Sequence, residues 1–520
     1  MLDDESQHAS GSELAGCCPR KSQSLDNLLA TGDGCLSSQF PSPAGDSDTS
    51  MEFWKLDQSE EAPAVIAARS GKQWTYAALR EDAARIQAAL PRLGRKSLGL
   101  LIAQNCYECL AAYLAALHSG SALIVLDATL NSALLRDFLV AYRPDWVFAT
   151  QPELELAGYR KSASGETGLL EIEEPQELEI HPDLALLLST SGSTGSPKLV
   201  RLTLSNLAAN ADSIAQYLQL TPHQRPITSL PMSYSYGLSV INSHLHAGAT
   251  IVFTEDGVLR REFWDALDRY GCTSFAGVPY TYQMLLQMGL LNKKGASLRV
   301  LTQAGGRLEE RYIQQMYELA LVRGWNFFVM YGQTEATARI SYVPFEQLGS
   351  KIGSVGIAIP HGSLTVDEHT GELVYCGPNV MLGYAEHRQD LAKGDELHGV
   401  LRTGDLARQD ADGYFYITGR LKRFLKMFGK RFNLDDVEKI LSRRVESSVA
   451  CYGHDDLLMA AVEDCECPDA IGRIMCETFD LPRTAVKVLA VKELPRTANG
   501  KLDYQRLTDA DPERTVAATR

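Results

Sequence analysis

Residues 184–198, which read LALLLSTSGSTGSPK, decide the class of fold to which this chain belongs. Leu184 to Leu188 form a short apolar run that predicts a buried strand, and Leu204 to Tyr217 have the spacing of a helix. Between the two lies a run of glycines and hydroxylated residues that ends in a lysine. A strand, a glycine-rich loop and a helix in this order are typical of a phosphate-binding site in an α/β protein.

The loop itself has the chemistry that phosphate binding requires. Glycines let backbone N–H groups approach an anion, hydroxyl groups add neutral donors, and a lysine adds a positive charge. The alternative is an ordinary Ser/Gly linker, because the same residues dominate loops in general. The standard P-loop ending and the Gly-x-Gly-x-x-Gly fingerprint are missing, which disfavours kinase-like and dinucleotide-binding enzymes. The candidate phosphate-binding residues are Thr190, Ser191, Gly192, Ser193, Thr194, Gly195 and Lys198.

Composition indicates a globular protein of more than one folded unit. The chain has 520 residues, of which 45% are hydrophobic, enough to build a large core. A formal net charge of -15 disfavours nonspecific binding to nucleic acid or anionic lipid. The eleven cysteines are scattered without metal-ligand spacing, which predicts free thiols. No apolar run approaches the roughly 20 residues that span a bilayer, and no signal sequence is present, so we expect a cytoplasmic protein with small-molecule partners.

The chain divides into three parts by composition. Residues 1–50 are rich in Ser, Gly, Asp and Pro, which predicts a disordered leader. Residues 51–418 alternate apolar strands with amphipathic helices, the pattern of a layered α/β body with a parallel sheet. Within that body, the short strands and turns after about Gly353 predict a β-rich subdomain. Residues 419–520, which begin with a basic segment, predict a small α+β C-terminal domain.

Three further clusters add polar chemistry to the loop. Residues 331–335, YGQTE, follow an apolar strand, and α/β proteins bind ligands where such strands end; Glu335 is a candidate ligand of Mg²⁺. Residues 402–405, RTGD, offer the carboxylate of Asp405 to two ribose hydroxyls. Residues 495–501, PRTANGK, place Lys501 on a glycine turn. Taken singly, these residues fit a helix N-terminal acid, a turn residue and a solvated surface charge just as well.

Together, in this order and at these separations, the four clusters resemble the adenylate-forming superfamily of acyl- and aryl-CoA synthetases, peptide-synthetase adenylation domains and firefly luciferase. The resemblance covers about residues 55–508. It implies a large N-terminal adenylation domain over residues 51–418, followed by a mobile C-terminal domain that turns about a hinge near Lys422. It also implies ATP and Mg²⁺ as cofactors.

The resemblance gives each cluster a role. The loop 190–198 would hold the β- and γ-phosphates of ATP, with Thr334 on a phosphate and Glu335 on Mg²⁺. Lys501 would bridge the acid's carboxylate and the α-phosphate, and Gly429 would lie in the loop that enters for the thiol step. The adenosine would be bound by Gly305, Gly306, Tyr331, Gly332, Asp405 and Arg420.

The acid pocket is expected near Tyr234, Ser235, Tyr236, Gly277 and Val278. Many acyl-CoA synthetases have His where Tyr234 stands, and amino-acid-activating relatives have Asp close to Ser235. The missing carboxylate disfavours a substrate with an α-ammonium group, because a buried cation needs a partner. Mixed aromatic and polar residues fit an aryl acid or a medium-length acyl acid.

The function predicted from these residues is ATP-dependent activation of a carboxylic acid to an acyl-adenylate, with release of pyrophosphate and transfer of the acyl group to a thiol. The thiol belongs to coenzyme A or to the phosphopantetheine of a carrier protein. The few residues between Asp464 and Val486 favour the carrier protein. The alternatives are a nucleotide-binding scaffold without turnover and an adenylating enzyme with an amine or oxygen acceptor.

Overall fold

The fold is a mixed α/β structure with several sheets. The computed structural model describes residues 52–130, 132–151, 154–189, 198–421, 423–427, 430–442, 444–445, 447–454, 457–479, 481–497 and 500–509. The predicted leader, the loop 190–197 and Lys422 lie outside the described residues. None of the described helices is both long and apolar enough to cross a membrane.

Eight of the described strands form the largest sheet, and its four central strands are parallel. Leu98–Ala103 is buried along its whole length, as expected for a parallel strand that is covered on both faces. The strands lie in the spatial order Gly383–Ala385, Leu199–Thr203, Leu184–Ser189, Ala122–Asp127, Leu98–Ala103, Trp146–Ala149, Leu169–Ile172 and Tyr159–Lys161.

Three smaller sheets complete the part of the chain before residue 421. A five-stranded sheet, parallel in its first three strands, contains Ser274–Gly277, Val300–Gln303, Asn326–Tyr331, Ser341–Tyr342 and Ile357–Ala358. A three-stranded sheet contains Ile251–Phe253, Pro63–Ala67 and Gln73–Thr75. An antiparallel sheet contains Ser363–Val366, Glu372–Cys376, Val400–Gln409 and Phe415–Arg420.

Capping residues and apolar spacing explain how the helices begin and pack. The first begins where Thr75 accepts a hydrogen bond from the backbone N–H of Ala78, as an N-cap should, and it buries Leu79, Ala83 and Ile86. The described α-helices before residue 421 are Tyr76–Ala89, Tyr107–Ser119, Ser132–Tyr142, Leu204–Leu218, Ser235–His246, Arg261–Tyr270, Pro279–Gln287, Leu290–Lys293, Glu310–Arg323 and Phe345–Leu348. Short 3-10 turns occupy Phe53–Lys55, Thr334–Ala336 and Arg388–Ala392.

The described residues after Arg420 pack around hydrophobic cores of their own. Their strands are Phe424–Met427, Lys430–Asn433, Val449–His454, Leu457–Glu463 and Val486–Val491, with helices Leu434–Ser442, Pro468–Phe479 and Tyr504–Asp509 and a 3-10 turn at Arg483–Ala485. One core contains Leu425, Val437, Leu458 and Met475. The domain boundary at residue 419 stays a prediction.

The predicted order around the loop 190–198 is wrong in one respect. Leu199–Thr203 forms a strand that pairs antiparallel with Leu184–Ser189, so this segment joins two strands and not a strand and a helix. All five residues of the added strand are buried, which explains why they join the sheet. The next helix begins at Leu204, where Thr203 and Asn206 form a capping box. Its N-terminal donors are thus partly occupied, and it does not begin at the loop.

Arg201 fixes the edge of the largest sheet from within. Its side chain is fully buried, and its Nη2 lies 2.5 Å from Glu396 Oε2. The guanidinium also donates to the carbonyl oxygens of Leu382, Tyr384 and Gly394, at 3.1 to 3.3 Å. It therefore joins the edge strand and the segment near residue 394 to the rest of the sheet.

We expect Arg201→Met to lower the free energy of unfolding by about 3 to 5 kcal/mol, because it leaves several buried carbonyl groups without a donor. The control is Arg261→Met, since the Arg261 side chain is 86% exposed and its loss should cost less than about 0.5 kcal/mol. Urea unfolding followed by tryptophan fluorescence measures both changes. Equal midpoints for the two variants would contradict a structural role for Arg201.

Candidate functional site

Asp405 is a buried carboxylate at the centre of a hydrogen-bond network. It is paired with Arg420 across neighbouring antiparallel strands, and Arg420 Nε lies 2.9 Å from Asp405 Oδ1. Tyr331 Oη donates to Asp405 Oδ2, and Gln333 Nε2 donates to the same oxygen at 3.1 Å. An ionised carboxylate has about four acceptor positions, so these three donors leave room for about one more.

The network connects two sheets. Tyr331 ends the strand Asn326–Tyr331 of the five-stranded sheet, whereas Asp405 belongs to the antiparallel sheet. Gln333 spans both, since its Nε2 also donates to the carbonyl oxygen of Thr403 at 2.9 Å. The residue between Tyr331 and Gln333 must be a glycine, because a Cβ at position 332 would lie 1.8 Å from the carbonyl oxygen of Ala338. Burial raises the pKa of Tyr331 well above its ordinary value, and Asp405 adds to the effect, so Tyr331 remains a donor.

Glu335 lies at the next turn of the chain, within the 3-10 turn Thr334–Ala336. Its Oε1 accepts a hydrogen bond from Tyr384 Oη at 2.8 Å. Lys198 lies over the face of the Tyr384 ring, with its Nζ 3.8 Å from the ring centroid. Thr334 Oγ1 lies 3.1 Å from Ser235 Oγ. Lys198 and Glu335 thus both contact Tyr384 of the strand Gly383–Ala385, and Thr334 contacts the first residue of the helix Ser235–His246.

Lys501 lies on the glycine turn that the sequence predicts. Gly500 has a φ of +74°, and the backbone N–H of Thr497 donates to the carbonyl oxygen of Lys501 at 2.8 Å. Burial lowers the pKa of Lys501 to about 8. Arg420 lowers the pKa further, while Glu335 and Asp405 raise it. The ammonium group is therefore close enough to all three charges to respond to them.

The same turn lies against the predicted acid pocket. Lys501 Nζ is 5.7 Å from the centroid of the Tyr234 ring, and the Tyr234 and Tyr236 rings meet edge to face at 6.2 Å. A Cβ at Gly305 would lie 2.6 Å from Tyr234 Oη and 3.2 Å from a methyl group of Val278. Tyr234, Val278 and Gly305 therefore border one space, next to Lys501.

The remaining pocket residues lie close by. A Cβ at Gly306 would approach Pro279 to 3.3 Å, and one at Gly277 would lie 2.7 Å from the Tyr282 ring. Ser235 and Tyr236 begin the helix Ser235–His246. Of the predicted site, residues 190–195, Lys422 and Gly429 lie outside the described part of the chain. The structure brings the described predicted residues together around Tyr234, Glu335, Asp405 and Lys501.

Three polar residues of this region were missed from the sequence: Gln333, Tyr384 and Arg339. Gln333 and Tyr384 bind Asp405 and Glu335. Arg339 lies only four residues after Glu335 and is buried. The signal for Arg339 was an arginine in an otherwise apolar and small run, ATARISY, directly after a candidate site. Gln333 lies in the cluster YGQTE but was assigned no role there, and nothing local in the sequence marked Tyr384.

Glu335 fits a single-carboxylate site for Mg²⁺. Its Oε1 accepts a hydrogen bond from Tyr384, and the residue is only partly buried. Among the residues that the structure describes, no group of three or more His, Cys, Asp or Glu could hold a metal ion. A magnesium ion bound to one carboxylate and to phosphate oxygens, as is common at nucleotide sites, agrees with this arrangement.

The fold and the site together define a nucleotide-binding enzyme. A family model described as AMP-binding enzyme matches residues 53–385, more than half of the chain. The chain therefore belongs to the AMP-binding enzyme family.

Curated relatives agree with the family. The 2-succinylbenzoate–CoA ligase of Bacillus pumilus is 27% identical over 87% of this chain and 97% of its own length. The L-proline–[L-prolyl-carrier protein] ligase of Pseudomonas fluorescens is 31% identical over 63% of this chain and 68% of its own length. Alignments with other curated CoA ligases span about two thirds of those proteins. The chain is thus an AMP-forming acid–thiol ligase, which activates a carboxylic acid with ATP and passes the acyl group to a thiol.

A solved structure shows the same fold. The o-succinylbenzoate coenzyme A synthetase of Bacillus subtilis, in complex with ATP and magnesium ion, superposes with a TM-score of 0.69 at 22% identity. The match covers 88% of this chain and 99% of that protein. At this identity the likeness supports the architecture alone, and the predicted α/β fold class is confirmed.

Proposed function

We propose that ATP and a carboxylic acid react beside Lys501, between Glu335 and the Asp405–Arg420 pair, to give an acyl-adenylate and pyrophosphate. The observation that supports this most is that the turn of Gly500 and Lys501 lies against the predicted acid pocket, with Lys501 Nζ 5.7 Å from the centroid of the Tyr234 ring and with Arg420, Glu335 and Asp405 all acting on the pKa of the lysine. Such a cluster, beside an aromatic pocket, suits a substrate that has several charges at one end.

The chemistry explains why a lysine is needed. Attack of a carboxylate on the α-phosphate is slow because both partners are anions, and a fixed ammonium group between them reduces the repulsion. A carboxylate oxygen of the acid then bonds to phosphorus while the bond to the pyrophosphate oxygen breaks. The attacking carboxylate is already ionised, so the step needs no general base. Lys501 acts here by position and charge.

The other residues hold ATP. Thr190 to Gly195 and Lys198 bind the β- and γ-phosphates, Thr334 binds a phosphate oxygen, and Glu335 binds Mg²⁺. Mg²⁺, when bound, neutralises phosphate charge. Asp405 and Arg420 bind the ribose, and because the carboxylate has about one free acceptor position, a second ribose hydroxyl would have to displace one of its present donors. Tyr331, Gly332, Gly305 and Gly306 border the adenine.

We expect Lys501→Ala to reduce acid-dependent ATP–pyrophosphate exchange by roughly 100- to 1000-fold, the usual cost of removing a group that stabilises a transition state by charge. ATP binding, measured by calorimetry, should change little. The matched control is Lys492→Ala, an exposed lysine of the same C-terminal segment, which should behave like the unmodified enzyme. If the unmodified enzyme binds ATP but activates no acid of a broad panel, the proposed reaction is wrong; full exchange activity in Lys501→Ala would exclude the role of Lys501.

The pH dependence should follow the lysine. A lysine with a pKa lowered to about 8 is protonated below that pH and loses its charge above it. We therefore expect kcat/KM for ATP, measured well below saturation so that it reports the free enzyme, to fall about tenfold per pH unit above this value. Lys501→Arg should lose this alkaline decline, because a guanidinium stays charged. An unchanged decline in Lys501→Arg would assign it to another group.

We further propose that the thiol of a carrier protein accepts the acyl group, after residues 419–520 have turned about Lys422 and withdrawn Lys501. One cleft would then serve both half-reactions. The segment between Asp464 and Val486 contains one α-helix, Pro468–Phe479, and a short turn. It has four acidic and two basic residues, and Arg483 is already paired with Asp469 at 2.8 Å. This surface has little positive charge to offer the phosphates of coenzyme A.

Transfer rates should reveal whether the nucleotide of coenzyme A is bound. We expect kcat/KM for coenzyme A and for pantetheine, which lacks the nucleotide, to agree within about threefold, since no charge pairs are lost between them. The kcat/KM for a phosphopantetheine-loaded carrier protein should exceed both values. Single-turnover transfer from preformed acyl-adenylate measures the three thiols side by side. A preference of about a hundredfold for coenzyme A over pantetheine would contradict the carrier-protein acceptor.

A further inference from the structure

Arg339 is a buried cation beside the acid pocket. It follows the Glu335 turn and precedes the strand Ser341–Tyr342, and only 2% of its surface is exposed. Its Nε donates to Tyr217 Oη at 3.2 Å, and its Nη2 donates to Ser239 Oγ at 3.2 Å. Its Cζ lies 4.5 Å from the centroid of the Tyr236 ring. All of these partners are neutral groups.

No carboxylate among the described residues lies within ion-pair distance of Arg339. Arg201, which is equally buried, makes a useful contrast, because Glu396 and several carbonyl oxygens surround its guanidinium. A buried charge is costly unless it is paired and hydrogen-bonded. Arg201 is both paired and hydrogen-bonded within the protein. Arg339 is hydrogen-bonded to neutral groups but has no anionic partner among the described residues.

The neighbouring tyrosines do not supply the missing charge. Burial raises the pKa of Tyr217 and of Tyr236, although Arg339 acts in the opposite direction on both. Both hydroxyl groups are therefore neutral near pH 7. Tyr217 Oη also donates to Met330 Sδ at 3.0 Å, which leaves it as an acceptor toward Arg339.

The space on the other side of Ser239 is neutral as well. Ser239 borders a small cavity whose polar lining consists of neutral side chains: Asn210, Ser235, Asn242 and Thr337. Buried amide atoms of Asn210 and Asn242 have no hydrogen-bond partner. One of these atoms is a donor, Asn210 Nδ2, and the other is an acceptor, Asn242 Oδ1, and no acidic residue lines this cavity.

Arg339 and Lys501 face the same pair of rings. Lys501 lies over Tyr234, Arg339 lies over Tyr236, and the two rings meet edge to face. A substrate that reaches from Lys501 along this aromatic pair would bring its far end toward the guanidinium. An arginine binds a carboxylate through two parallel hydrogen bonds, and this geometry is specific to planar anions.

We propose that Arg339 selects an acid with a second carboxylate at its far end, so that the substrate is a dicarboxylic acid. One carboxylate is activated beside Lys501, and the other pairs with the guanidinium of Arg339. The inference rests on the proposed function, because it assigns the far end of the same acid pocket. Arg339 is then a specificity-determining residue that takes no part in the reaction at phosphorus.

The test compares linear dicarboxylic acids, from succinic to sebacic acid, with the monocarboxylic acids of equal carbon number, in ATP–pyrophosphate exchange. In the unmodified enzyme we expect the best diacid to exceed its matched monoacid by at least about a hundredfold in kcat/KM, since the monoacid leaves a buried charge unpaired. One chain length should be optimal, because the two cations are fixed in position. Comparable rates for each matched pair would overturn the proposal without affecting the adenylation reaction.

Arg339→Met gives a second test. We expect this variant to have a kcat/KM for the best diacid that is roughly a hundredfold lower. Its kcat/KM for the matched monoacid should rise, because an apolar side chain of similar size replaces the unpaired charge. Arg339→Lys should recover part of the diacid activity. The control is Arg311→Met: Arg311 also lies over a tyrosine ring, at 4.7 Å, but it is exposed and paired with Glu309, so its loss should leave the diacid-to-monoacid ratio unchanged.

The outcomes separate the two proposals. A reversal of preference between diacid and monoacid supports selection by Arg339, since a purely structural arginine would lower both activities together. Equal losses on both acids in Arg339→Met, with ATP-dependent protection against thermal unfolding retained, would overturn the assignment. If the unmodified enzyme activates no acid of either series but does activate a monocarboxylic acid of the broad panel, selection by Arg339 is overturned; if it activates no acid of the broad panel either, the adenylation proposal itself fails. If the variant does not fold, the ratio in the unmodified enzyme still decides.

Discussion

The buried carboxylate of Asp405 is the group on which the rest of the site depends. It is 2% exposed, and a carboxylate in such a place is stable only when donors surround it. Arg420 comes from the neighbouring strand, and Tyr331 and Gln333 come from the end of another sheet. The same contacts therefore join the two sheets and create the field that acts on Lys501. Loss of this one charge would loosen the junction and shift the pKa of the lysine further down.

Three buried or partly buried cations in this protein differ in what offsets their desolvation penalty. Arg201 is paired with Glu396 and backbone carbonyls within the sheet. Lys501 responds by a lowered pKa, which an ammonium group can do at modest cost. Arg339 has neither solution, because a guanidinium does not lose its proton in proteins and its neighbours are neutral. The charge of Arg339 is thus neither paired with a carboxylate among the described residues nor removed by deprotonation, and a bound anionic substrate best explains it.

The sequence predicted much of the α/β body because local rules and tertiary packing agree there. The helix predicted over Leu204 to Tyr217 extends from Leu204 to Leu218, and the helix after Thr75 begins at its cap and buries an apolar stripe. The strand Leu199–Thr203 was missed because it directly precedes a helix and carries an arginine at its centre, and that arginine is stabilised by Glu396 and by carbonyl groups that are distant in sequence. Gln333 and Tyr384 were missed for the same reason, since their partners lie about 70 and 50 residues away in sequence.

Two features of the predicted acid pocket disfavour a substrate with an ammonium group. The sequence lacks an aspartate near Ser235, which would be the partner of an α-ammonium group. The structure adds the guanidinium of Arg339 over the ring of Tyr236, which follows Ser235 in the first turn of the helix Ser235–His246. These two features act together, because a cation in the pocket repels an amino acid's ammonium group and attracts an anion, whereas the absence of aspartate alone would merely fail to bind it. Repulsion of the wrong acid and attraction of the right one then depend on the same side chain, which is why a neutral residue at position 339 should widen the range of acids that enter.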